Sequence, residues 1–141
     1  MSGVAEAPLS ASDEFAWTTP AVTTVQLVRY AGASDDYNRI HYDLPFAVES
    51  GLGGVIAHGM LTMGFMARAL TDGIGPAGRV QKLSARFTAP VRPGDAVDLT
   101  CKVTARRKTS ADQEIDCVLV ATVKGKPVAE GKATASIRSG T

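Results

Sequence analysis

The sequence predicts an α+β domain built around one buried helix, on three observations. Helical patterns crowd the first half, the second half alternates apolar and polar residues between turn signals, and one segment between them is apolar on every side. That segment, Gly59 to Leu70, carries Met60, Leu61, Met63, Phe65, Met66, Ala67, Ala69 and Leu70. A helix apolar all round belongs in an interior, and a dozen residues at the α-helical rise span about 18 Å, enough to cross a small domain. Helices early and a run of antiparallel strands later exclude a doubly wound α/β sheet.

Taken in order, residues 1–14 read as a flexible N-terminal arm short of large apolar groups, and 15–141 as a single domain. Phe15 to Thr19 suits a brief strand that Pro20 ends. Thr23 or Thr24 is a suitable cap for a helix whose Val25, Leu27, Val28 and Ala31 share one face, closed by Gly32. Pro45 fits the first turn of a short helix through Val48 that Gly51 ends, and Gly53-Gly54 is a turn. In the long helix, Gly64 is expected to admit a neighbouring backbone at some cost in propensity. Val80 to Phe87 is the next strand, followed by a turn over Pro90 to Gly94. Alternation is clean from Val97 to Ala105 and again from Ile115 to Val123. Lys124-Gly125-Lys126-Pro127 makes a hairpin into a last strand ending at Ile137.

Composition excludes several classes. With 141 residues there is room for one real core, and 45% hydrophobic with 21% charged residues is ordinary for a water-soluble domain. A formal net charge of +1 makes no case for nucleic acid or an acidic membrane surface. No apolar run reaches the length of a membrane span, so no membrane insertion is expected. The first fifteen residues lack the basic start and apolar stretch of a signal peptide. Cys101 and Cys117 do not make a disulfide scaffold in a chain this size, so reduced thiols and a cytoplasmic location are expected.

The chemistry concentrates between Ser34 and Gly64. Asp36 and His41 stand five residues apart in a polar loop, and Gly59 lies in the first turn of the buried helix. A helix N-terminus offers unpaired N–H groups and the positive end of a dipole. A carboxylate and an imidazole beside such a terminus form a candidate acid/base site with an oxyanion donor. The bland alternative makes Asp36 an Asx-turn residue and His41 a surface contact.

Two motifs decide between them. Asp36-x-Asn38-x-Ile40-His41 and Ala57-His58-Gly59-Met60 resemble, in this order, the two signatures of the MaoC-like (R)-specific enoyl-thioester hydratases, over roughly residues 15 to 138. Arg39 stands where that family usually has proline. The resemblance implies a hot-dog fold, a curved antiparallel sheet wrapped round a long apolar helix. It also implies reversible hydration of trans-2-enoyl thioesters to (3R)-3-hydroxyacyl thioesters. Asp36 and His41 would activate the water, and the Gly59 N–H would stabilise the thioester oxygen. No cofactor is implied, because the substrate arrives as a coenzyme A or acyl-carrier-protein thioester. Asn38 is expected to fix the loop or a catalytic side chain, and His58 to make a hydrogen bond at the helix start. Tyr37, Tyr42, Met63 and Met66 are candidates to line the acyl pocket, with plain packing an equal reading.

Other readings stay open. A hot-dog thioesterase and a non-catalytic acyl-binding partner are the rival functions. Asp36, His41 and His58 match a two-histidine, one-carboxylate metal set, but hydration of a thioester-activated alkene needs no metal, so none is expected. Gly73-Ile74-Gly75-Pro76-Ala77-Gly78 matches a dinucleotide-binding glycine pattern but follows a helix and precedes a strand, the reverse of that fold. Arg106-Arg107-Lys108 is expected at a solvated hairpin tip, where it could meet phosphates. An uncovered sheet edge, together with the resemblance, predicts pairing with a second copy or a similar hot-dog chain.

Overall fold

A computed structural model describes residues 13–139, and the arm expected over 1–14 lies largely outside them. Its last two residues belong to the sheet. Strand β1 is Glu14–Thr18, and the Asp13 carbonyl already accepts a hydrogen bond from Val103 N–H at 2.9 Å. Helix α1 (Thr24–Ser34) opens at Thr23, whose hydroxyl accepts from the Gln26 N–H at 3.1 Å. It does not stop at Gly32. Asp35 ends it in the left-handed region at φ 58°, a conformation aspartate tolerates. Only Leu27 and Ala31 of its apolar set are buried; Val25 and Val28 lie on the exposed side.

A short 3-10 helix (Arg39–His41) and α2 (Leu44–Glu49) lead to α3 (Gly59–Ile74). At 16 residues α3 outruns its expected end by one turn and is about 24 Å long. It touches all five strands, burying Phe65, Met66, Ala69, Leu70 and Ile74. The expectation of burial on every face is corrected: Met60, Gly64, Arg68 and Asp72, at a spacing of four, form an exposed stripe. Gly64 therefore meets no backbone, and a Cβ there would have open space. The close approaches fall elsewhere. The glycine-rich segment ends α3 at Gly75, which takes φ 76°, and packs Gly73 beneath the Phe15 ring.

The strands β2 (Gly78–Phe87), β3 (Asp98–Lys108), β4 (Asp112–Val123) and β5 (Lys126–Arg138) join β1 in an antiparallel sheet of order β1-β3-β4-β5-β2. Lys124 and Gly125, both at positive φ, form the β4–β5 turn. Leu99, Cys101 and Val103 of β3 face inward with Ile115, Cys117, Leu119 and Ala121 of β4. Along β5 every second position from 129 to 135 is buried and small: Ala129, Gly131, Ala133 and Ala135. That track leaves depth for α3, whose Met66 lies against Gly131. A sheet clasping one long helix with all its strands is the hot-dog arrangement.

Two further expectations change. Arg106, Arg107 and Lys108 belong to β3, not to a tip. The Arg107 guanidinium is engaged by Glu114 at 2.6 Å and Asp116 at 2.8 Å on the neighbouring strand, so it is not free for phosphates. Cys101 and Cys117 are buried and unbridged. Among the described residues, no helix is long and apolar enough to cross a membrane.

Gly131→Ala tests the β5 track. The new Cβ would stand 2.6 Å from the Ser84 carbonyl oxygen of β2 and 2.7 Å from the Met66 terminal methyl. Overpacking of this kind costs about 1–3 kcal/mol, so the urea midpoint should fall with the slope unchanged.

Candidate active site

The loop between α1 and α2 is held by its own short side chains. Asp36 Oδ1 accepts from Asn38 N–H at 3.2 Å, and the Asn38 side chain accepts from Ile40 N–H at 3.3 Å, starting the 3-10 helix. The Asx-turn is thus present, yet it does not exhaust Asp36. Arg39, in the place of proline, donates to the Asp43 carboxylate at 2.8 Å and lies 4.4 Å over the Phe46 ring. That guanidinium, and next the Phe46 N–H, hold the Asp43 carboxyl below its ordinary value. The Tyr42 hydroxyl donates to the Tyr37 carbonyl at 3.0 Å. A fixed proline φ is replaced here by side-chain ties.

This loop carries His41 inward, where it is 7% exposed. Its Nδ1–H donates to the Ile56 carbonyl at 2.7 Å, while Ile56 N–H donates back to Ile40 at 3.1 Å. In the neutral ring this leaves the lone pair on Nε2. His58 stacks on His41 with centroids 3.7 Å apart and planes 22° apart, and Tyr30 of α1 meets the same His58 ring edge-on at 4.7 Å. His58 occupies the cap position of α3, but its side chain makes no capping bond. Its Nε2 instead bonds to the Asp36 carbonyl at 3.2 Å, so the hydrogen bond expected of His58 runs from the helix start to the loop. Burial pushes the His58 imidazole down from its ordinary value, against a smaller opposing effect of that bond. The neutral ring then donates from Nε2, and its buried Nδ1 has no partner.

One ligand-type atom each from Asp36, His41 and His58 lies within 4.8 Å of the others. One nitrogen of each ring is already engaged by a backbone carbonyl, Nδ1 of His41 by Ile56 and Nε2 of His58 by Asp36.

Beside the cluster, a cavity of about 420 Å³ is lined by His41, Ile56, Gly59, Thr62, Phe87 and Val128, among others. Its polar side chains are His41 and Thr62. Gly59 is the first residue of α3, so its N–H has no carbonyl within the helix. A Cβ on Gly59 would meet the Phe87 ring at 3.0 Å, so glycine lets Phe87 close over the helix start. Thr62, Phe87 and the Ile56 carbonyl carried no signal in the sequence, because only the fold brings them to the loop. Two larger depressions, about 620 and 500 Å³, cross the sheet around Lys132 and Val118. They hold no comparable acid/base pair, so volume does not choose the site.

The remaining candidates stand apart. Tyr37 and Tyr42 are exposed and tie the loop without lining the cavity. Met66 is fully buried in the core, and half-buried Met63 is also absent from the cavity wall.

Residues 14–126 match the family described as the MaoC like domain, and this chain belongs to it. It is 37% identical over 111 residues to an (R)-specific enoyl-CoA hydratase of Rhodospirillum rubrum, covering 77% of this chain and 74% of that one. It is 32% identical over 83 residues to a 3-hydroxybutyryl-CoA dehydratase of Methylorubrum extorquens, covering 58% of this chain and about half (53%) of that one. Among solved structures, an R-hydratase from Pseudomonas aeruginosa superposes with a TM-score of 0.84 at 25% identity, covering 94% of this chain and 84% of that one.

Arg39 offers a test of how the loop is held. Arg39→Ala removes the tie to Asp43 and should speed amide exchange at His41 and Tyr42 a few-fold, read by hydrogen-exchange mass spectrometry or NMR. Arg39→Pro should hold exchange near its original rate, since proline suits the first position of a helical turn.

Proposed function

We propose that this chain hydrates trans-2-enoyl thioesters to (3R)-3-hydroxyacyl thioesters, and catalyses the reverse dehydration. The observation that carries the reading is His41, with Nε2 left as acceptor by the Ile56 carbonyl, clustered with the Asp36 carboxylate beside the start of α3. The names of the curated relatives, a hydratase and a dehydratase acting on CoA thioesters, support it.

Addition of water to an enoyl thioester needs three things, and the site supplies a group for each. Asp36 and His41 together hold a water and take one of its protons as its oxygen attacks the β-carbon. Negative charge then collects on the thioester oxygen, where the Gly59 N–H and the helix dipole stabilise it. The same pair returns the proton to the α-carbon. Oxygen and hydrogen arrive on one face, so the addition is syn. The apolar cavity suits the acyl portion, and the thioester is that of coenzyme A or of a carrier protein. This chemistry calls for no cofactor.

Loss of enone absorbance with crotonyl-CoA tests the activity. Asp36→Asn and His41→Ala should each lower kcat about 10²–10⁴-fold with little change in melting temperature. The double variant should lose far less than the product of the two, because the pair acts as a unit. A (3S) product, or near-normal turnover by Asp36→Asn, would sink the mechanism. Release of free thiol from saturated acyl-CoA would instead favour a thioesterase.

We also propose that the working form is a dimer, with itself or with a similar hot-dog subunit. Among the described residues β2 pairs on one side only, and an unpaired edge with nearby apolar groups such as Phe87 and Met60 favours a partner. Light scattering at micromolar concentration should give twice the chain mass; a stable, active monomer would count against it.

A further inference from the structure

We propose that His58 is a positioning residue that holds Asp36 and His41 in register. The inference rests on the reading of those two residues as the reacting pair.

His58 is 1% exposed, so it is placed to touch the pair, not the substrate. It touches both members by different parts of one ring. Its Nε2–H donates to the Asp36 carbonyl across 22 positions of sequence. Its face lies on the His41 ring at 3.7 Å. Tyr30 packs on the ring from α1 at 4.7 Å, and α3 anchors its backbone, so the clamp is itself fixed by two helices. Asp36, by contrast, is exposed on a loop whose other ties are local turns, and nothing else described joins its backbone to the buried helix.

A second observation points the same way. At the first cap of a helix, a serine, threonine, aspartate or asparagine would satisfy an orphan N–H. His58 forgoes that bond and also leaves Nδ1 buried without a partner. The missing cap bond weakens the helix start, and a side chain that spends its hydrogen bond on a distant loop instead fits a positioning role. The neutral ring that burial enforces supplies a donor at Nε2 together with an uncharged face for His41.

The test uses the full chain, crotonyl-CoA hydration and thermal melting. His58→Ala removes both contacts and should lower kcat about 100-fold, the scale of a 1 Å misplacement, with KM within about two-fold. His58→Gln restores a donor at the reach of Nε2 and should recover about ten-fold of that loss. His58→Phe keeps a flat ring against His41 and removes the orphan nitrogen; it should melt no lower than the unsubstituted chain yet turn over about ten-fold more slowly. Unchanged kcat in folded His58→Ala or His58→Phe, a loss carried by KM alone, or no recovery in His58→Gln would overturn the proposal. Asp36→Asn and His41→Ala run in the same assay separate the two readings. If they keep turnover, the proposed function fails. If they lose it while the His58 variants do not, only the positioning role fails.

Discussion

The structure depends on the seating of α3 in the hollow of the sheet. One helix about 24 Å long touches every strand, which is possible because β5, beneath it, offers Ala129, Gly131, Ala133 and Ala135 in place of large side chains. Met66 packs against Gly131 in the depth so created, and Ile74 packs against Gly78 of β2. Burial of apolar surface stabilises at roughly 25 cal/mol per Å², and α3 contributes Phe65, Met66, Ala69, Leu70 and Ile74 to the core. This seating also determines where the helix begins, and so where Gly59 presents its free N–H and His58 its ring.

The loop is a weaker structure that borrows rigidity from that seat. Asp36, Asn38 and Asp43 organise it by short side-chain bonds to backbone N–H groups. Arg39 adds an ion pair and a ring contact where proline would have restricted φ. Ties from outside include the Ile56 carbonyl to His41, the Ile56 N–H to Ile40 and the His58 ring to Asp36, all from the segment that enters α3. The exposed Asp36 and the buried His41 are thus both tied to the segment that leads into a buried helix, which gives a loop a fixed geometry it would not have alone.

Much of this was legible in the sequence where residue type and local geometry coincide. Thr23 as a cap, Pro45 in a first turn, the Lys124-Gly125 turn and the alternation through β3 and β4 all follow from short-range preferences. Errors arose where a local signal had a rival of similar strength. Gly32 is a helix breaker by propensity, but about 1 kcal/mol is too little to stop a helix whose Leu27 and Ala31 are packed. Met60 reads as apolar core, yet its position on the Gly64–Arg68–Asp72 stripe leaves it exposed. Methionine reads equally as core or pocket, and only packing distinguished Met66, against Gly131, from the cavity wall.

By itself the sequence determined the α+β class, the buried helix, the strand succession and the two motifs that hold Asp36, His41 and Gly59. Each is encoded within a few residues, by periodicity, capping or turn chemistry. Tertiary structure alone decided which groups meet across long separations: the Ile56 carbonyl at His41, the Phe87 ring over Gly59, and His58 reaching Asp36 from another element. Such contacts depend on how α3 sits in the sheet, and that depth is a sum of side-chain volumes from five strands that no local pattern records.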